Sequence, residues 1–172
     1  MAFVRQNNTV FAFADFDDVL SIDSRIFESN EGLTEENVED ALFRSTERIL
    51  DEIRSTDWWK TYFFRLQGNL KNFAIGESII APAVDANKII KRENDFSDMT
   101  VYYALSNYIL PKVADFGDPD SAERQKMGYY DTQYRKLFKQ LIDLGDWYDF
   151  DGSGTVDPNE KFPVASNLRR IR

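Results

Sequence analysis

Residues 34–56, TEENVEDALFRSTERILDEIRST, decide the fold class. Thr34 has the side chain of a helix N-cap, and Glu35 and Glu36 follow in the first turn, where carboxylates favour the helix dipole. Val38, Leu42, Ile49 and Ile53 recur at spacings of four, seven and four, which places them on one helical face. Asp40 with Arg44, and Asp51 with Arg48 or Arg54, decorate the rest. The stretch predicts a long amphipathic helix that must bury one side. Trp58-Trp59 and Tyr62-Phe63-Phe64 follow directly, an aromatic cluster that continues this helix or turns its end into the core.

Two more stretches read the same way. A second long helix is expected from Phe96-Ser97-Asp98 to about Asp115, apolar over a wide arc through Met99, Tyr102, Tyr103, Leu105, Ile109 and Val113, and therefore central. Pro111 predicts a kink or break in it, because proline lacks the amide proton and crowds the preceding turn. Gly117-Asp118-Pro119-Asp120 is a turn. A third helix is expected over 121–144, with Met127, Tyr130, Tyr134, Leu137, Phe138, Leu141 and Ile142 inward. The expected fold is mostly α: a bundle of about three long helices.

The remainder divides as follows. Residues 1–14 read as an extended arm, with Asn7-Asn8 as a turn or break. A short helix is expected over 15–22 and another segment over 24–29, and the helical bundle domain spans 15–148. Residues 68–94, interrupted by Gly68, Gly76 and Pro82, read as a long central loop anchored by Ile79-Ile80 and Ile89-Ile90. An EF-hand-like loop occupies 149–160, and 161–172 form a C-terminal tail.

Composition narrows the chemistry. Among 172 residues there is no Cys and no His, so thiol catalysis, disulfides, imidazole bases and Cys- or His-ligated metals are excluded. A metal here must be held by oxygen, which selects hard ions. The net charge of −9 disfavours nonspecific binding to nucleic acid, whose phosphates the average field repels. No apolar run reaches the length of a membrane helix, roughly 18 residues. The first sixteen residues do not read as a signal peptide, which points to use inside a cell. No nucleophile stands beside a base and no Gly-rich phosphate loop is present, so no enzyme is expected.

The sharpest motif is Asp149-Phe150-Asp151-Gly152-Ser153-Gly154-Thr155-Val156-Asp157-Pro158-Asn159-Glu160, which matches the twelve-residue EF-hand calcium loop by position. Asp149, Asp151, Ser153, Asp157 and Glu160 stand at ligand positions 1, 3, 5, 9 and 12. Thr155 at position 7 offers its backbone carbonyl, and Gly154 supplies the sharp turn at position 6. Carboxylates packed this closely repel one another unless a cation sits among them. The cofactor expected is calcium, in a structural clip and not a switch, because the loop has no paired partner loop. Pro163 also follows too soon for a full exit helix. Arg169, Arg170 and Arg172 read as a docking arm for an acidic neighbour, including another copy of the chain. Asp15, Asp17 and Asp18 read as a helix N-terminus, and Trp58-Trp59 and Tyr129-Tyr130 as core or interface.

In the order of these elements the chain resembles the head–tail connector (adaptor) proteins of tailed bacteriophages. The resemblance rests on the 34–56 helix ending in Asp57-Trp58-Trp59, on VYYALSNYILP at 101–111, on YYDTQY at 129–134 and on GDWYDFDGSG at 145–154. It covers roughly residues 15–160. It implies a non-catalytic subunit that assembles with copies of itself in a ring, commonly twelve-fold, between the portal protein and the next neck or tail protein. Genome DNA would pass through the channel without specific binding. It also implies a place in the virion, at the head–tail junction, after assembly in the host bacterial cytoplasm, and no membrane contact. Two alternatives remain: another neck component, such as a head-completion or tail-terminator protein, and a small cellular EF-hand regulatory protein.

Overall fold

The computed structural model describes residues 3–26, 33–66, 81–114, 117, 121–157 and 160. The fold is mostly helical with one small two-stranded sheet. Strands β1 (Val4–Gln6) and β2 (Thr9–Ala12) precede α1 (Phe16–Ile22), α2 (Glu35–Ser55) and α3 (Asp57–Leu66). Then come α4 (Glu93–Ala104), α5 (Leu110–Val113) and α6 (Ala122–Leu144).

The helix ends form where the side chains permit them. Thr34 Oγ1 accepts from the Asn37 amide at 3.3 Å to open α2, and Ser121 Oγ accepts from Arg124 at 3.4 Å to open α6. Asp15 and Asp18 form a reciprocal capping box on α1 (3.0 and 3.2 Å), so the acidic triplet 15, 17 and 18 is a helix start. Helix α4 packs against both α2 and α6. One part of the core gathers Leu42, Val101, Leu105 and Tyr130; the other gathers Phe13, Ile49, Trp58, Phe96, Met99 and Trp147.

Three expectations change. The first residues are no free arm: β1 and β2 pair antiparallel around Asn7 and Asn8, whose φ values of 51° and 65° make the left-handed two-residue turn of a tight hairpin. Phe13 is fully buried, Phe3 is 4% exposed, and both rings join Phe96. The hairpin is further tied by Val10 N to Asn87 Oδ1 (2.9 Å), Phe13 N to Thr46 Oγ1 (3.1 Å) and Ser97 Oγ to the Phe13 carbonyl (2.5 Å). Burial of the aromatics wins over the extended state that the isolated segment would take.

The second change concerns the central helix. It begins earlier, at Glu93, because Arg92 at φ 63° ends the preceding extended segment, and the chain stays helical through Pro111 to Val113 instead of breaking there. Residues Leu105–Ile109 widen into a π-helical turn before α5 continues through Pro111. The Tyr103 carbonyl is taken up by Ser106 Oγ and Asn107 Nδ2, both at 3.1 Å. Side chains thus add to the bonding of the carbonyl at the start of the wide turn. The third change is small: the loop read over 68–94, an excursion with room for a short strand or a turn of helix, gives up 93–94 to α4. Its residues 68–80, with Gly68, Gly76 and Ile79-Ile80, lie outside the described structure. Residues 81–92 form a strap with a 3₁₀ turn at Ala86–Lys88 and a bridge between Ile89 and Tyr148. Of the segment 24–29, only the 3₁₀ turn Ser24–Ile26 is described.

Helix α6 stops at Gly145, where φ is +54° and a Cβ would lie 2.7 Å from Trp58 Nε1. Both the left-handed backbone and the indole oppose any side chain. Gly145→Ala is expected to destabilise the fold by roughly 2 kcal/mol or more, read as a lowered urea midpoint with unchanged slope.

Candidate metal centre

The loop is placed by what comes just before it. Trp147 is fully buried and its Nε1 donates to the Leu141 carbonyl at 2.8 Å, folding the chain back over the end of α6. Backbone bonds from Ile90 N to the Trp147 carbonyl (3.0 Å) and from Asp149 N to the Lys88 carbonyl (2.9 Å) dock the next residues on the strap. Lys88 Nζ donates to the Phe150 carbonyl at 3.0 Å, and the Arg92 guanidinium grips both oxygens of Asp146 at 2.7 and 3.0 Å. Phe150, the second loop residue, stacks on Trp59 and Tyr62 of α3 and meets Tyr148 edge-on. The entry to the loop is thus fixed by aromatic packing before the loop begins.

Within the loop, two buried carboxylates organise the backbone. Asp149, 4% exposed, accepts from the amides of Gly152 (2.8 Å) and Ser153 (3.2 Å) on Oδ1 and of Gly154 (2.7 Å) on Oδ2. Glu160, also 4% exposed, reaches back across the loop: its Oε1 accepts from Phe150 (3.0 Å) and Asp151 (3.1 Å), and its Oε2 from Asp157 (2.9 Å). Gly152 and Gly154, at φ +78° and +80°, turn those amides inward. Six backbone donors therefore hold the first and last ligand positions in place.

Asp149, Asp151 and Glu160 each offer an oxygen atom, and the three lie within 4.8 Å of one another, close enough for one metal ion to touch all of them. Ser153 Oγ donates to the Thr155 carbonyl at 3.0 Å, so the residues at positions 5 and 7 face each other. Asp157 is exposed and outside that triplet; its Oδ1 only accepts from Thr155 Oγ1 at 3.5 Å. Val156 is buried, which anchors the far side of the loop. Arg169, Arg170 and Arg172 lie outside the described residues, as does any exit segment after Glu160.

The charge of the loop is felt by its neighbours. Burial, with Glu160, Asp151 and Asp149 adding repulsion, pushes the Tyr62 hydroxyl up from 10.0 to about 12. Tyr148 is pushed to about 12, mainly by burial. Asp151 is held below the usual carboxylate range, chiefly by the hydrogen bond from the Ser153 amide (2.9 Å). Sequence reasoning missed the strap 85–92 as part of this site. Its signals were the Asp85 cap on Asn87 and the apolar pair Ile89-Ile90, both short-range features inside a stretch without periodicity.

Comparison with known protein families, with curated proteins and with solved structures gives no match.

The raised tyrosines set an alkaline limit. Tyr130 and Tyr134 are raised as well, chiefly by burial and then by Asp23 and Glu52 respectively. A group whose pKa is higher folded than unfolded stabilises fully below the unfolded value and loses that contribution as the pH rises toward the folded one. Stability is expected to be level up to pH 10 and to fall between pH 10 and about 12, measured as the urea midpoint against pH. Tyr62→Phe should flatten part of that fall.

Proposed function

We propose that the loop 149–160 binds calcium as a structural clip in a non-catalytic connector subunit of a tailed-phage virion. The observation that carries the calcium reading is the 4.8 Å triplet. Two oxygens on one ion at 2.3–2.6 Å stand at most about 5 Å apart. The donor set is oxygen only, which suits a hard cation, and the roomy mixture of carboxylate, hydroxyl and carbonyl suits calcium better than the tight octahedron of magnesium. Asp149, Asp151 and Glu160 would hold the ion, with Ser153 Oγ and the Thr155 carbonyl completing the set and Asp157 acting through water. The ion would neutralise charge that six amides only partly offset, and lock the chain at the point where it leaves α6.

The connector reading is supported by the order of helices and loop that the chain shares with that class. Packing supports it too: α2 and α6 flank a buried α4, and the loop entry is welded to the aromatic core. A clip on a rigid base suits a building block better than a sensor, which needs a hinge that calcium can open. In this reading the subunit forms a ring with copies of itself, meets the portal on one side and a neck or tail protein on the other, and lets DNA pass its acidic surface.

Calorimetric titration with calcium should give a saturable signal for the wild-type chain and none for Asp149→Ala with Glu160→Ala, while the helical circular dichroism stays unchanged. Sedimentation of the native source should place the chain in particles that also hold capsid and portal proteins. Recovery only in light, soluble fractions refutes the connector reading, and a calcium signal that survives the double substitution refutes the clip.

A further inference from the structure

One described surface has the chemistry to receive the arginines at 169, 170 and 172. Residues 161–172 carry four cations and no acid, so the rest of the chain is four charges more negative than the net −9. On the face shared by the hairpin and α2, Phe11 is 46% exposed and its ring stacks on Phe43, centroids 4.6 Å apart and planes at 20°. Beside this pair lies a recess of about 100 Å³ lined by Val4, Phe11, Ala12, Ala14, Asp15 and Glu39. Its walls are apolar apart from two carboxylates. Asp15 Oδ1 is engaged by the Asp18 amide, whereas Asp15 Oδ2 and both oxygens of Glu39 have no partner among the described residues. Glu36 and Glu47 stand exposed on the same helix, and the ion pair on this stretch, Asp40 with Arg44, engages neither of them.

An arginine suits this recess better than other side chains. Its methylene stem covers the apolar wall, its planar head stacks on an exposed phenyl face, and its fork of donors can take both oxygens of Glu39. Lysine offers only a point charge. We propose that the recess between the hairpin and α2 receives an arginine of the 169–172 segment from a second copy of this chain. The recess and the segment are two different, complementary surfaces. Pairing unlike surfaces from copy to copy is the heterologous contact that generates rings. The proposal rests on the self-assembly in the proposed function and supplies its contact.

The test uses two full-length variants in sedimentation velocity. One has Arg169→Glu, Arg170→Glu and Arg172→Glu with the native recess; the other has Glu39→Arg with the native segment. Wild type should associate. Each variant alone should associate at least about tenfold more weakly, and the mixture should recover complexes, because the second variant's arginines meet the first variant's recess. A synthetic peptide of residues 161–172 should inhibit wild-type association, and the same peptide with alanine for its three arginines should not. Glu39→Gln, which removes charge from an exposed helical site and leaves the fold intact, checks that Glu39→Arg acts through the recess. Association of Glu39→Arg and Glu39→Gln equal to wild type overturns the proposal, as does a mixture that stays monomeric, the result expected if each chain's segment docks on its own recess. A wild-type chain that is monomeric throughout also overturns it. Co-sedimentation with particles judges the connector reading separately.

Discussion

Everything near the candidate site depends on the way the end of α6 is folded over the two tryptophans of α3. Gly145 takes the left-handed turn, the Trp147 ring drops into the core beside Trp58 (4.9 Å) and Phe96 (4.9 Å), and Trp147 Nε1 closes on the Leu141 carbonyl. No side chain but hydrogen fits at 145, because Trp58 Nε1 already occupies the space. That close approach has a cost: Trp58 Nε1 is buried without a hydrogen-bond partner among the described residues. Packing of three large rings outweighs one unmet indole donor, since each buries on the order of 200 Å². The direction in which the chain leaves α6 is therefore set by shape, and the acidic loop inherits that direction.

Charge is then distributed around this apolar anchor in a consistent way. Carboxylates that are buried are each given partners: Asp23 takes Lys126 Nζ (2.7 Å) and Tyr130 OH (3.0 Å), while Asp149 and Glu160 take backbone amides. Glu52 accepts from Tyr134 OH at 2.6 Å. Pairing of this kind is what makes an acidic chain compact despite its self-repulsion. The loop is the exception in one respect, because three of its four carboxylates face one another as well as the amides. Amides offset part of that repulsion, and a divalent cation held there would offset the rest. The same ion would not be needed at Asp23, where a lysine already supplies the positive charge.

The legible parts of this structure are those governed by local rules. The cap at Thr34, the face through Val38, Leu42, Ile49 and Ile53, and the bounds of α6 near residues 121 and 144 all follow from side chains within a few residues of where they act. The loop was legible for the same reason, since twelve consecutive residues contain their own geometry. The hairpin was not, although Asn7-Asn8 carried the turn: its stability comes from Phe3 and Phe13 meeting Phe96, more than eighty residues away. The strap 81–92 has no periodicity because its regular structure is one 3₁₀ turn and one bridge, and it is held by separate contacts to Val10, Arg54, Trp59 and residues 146–150. Pro111 reads in sequence as a helix interior residue, whereas it stands in the first turn of a new α-helical segment after a π-helical turn, a position that tolerates the missing amide proton better.

This division bears on what the loop can do. A switching EF-hand stores its response in a helix pair free to change angle, so the residues around it must tolerate two packings. Here Tyr148, just before the loop, is bridged to Ile89 of the strap, Phe150, the second loop residue, packs among Trp59, Tyr62 and Tyr148, and Lys88 bonds both Asp149 and Phe150. Moving the entry would break two backbone bonds, one ammonium–carbonyl bond and an aromatic stack together, a cost of several kcal/mol on ordinary magnitudes. An ion at the loop could shift that entry only by as much as its affinity differed between two arrangements. Binding energy of an ion held there would go instead into stiffening the loop. An entry this rigid, beside three carboxylates that could share one ion, fits the proposed clip better than a switch.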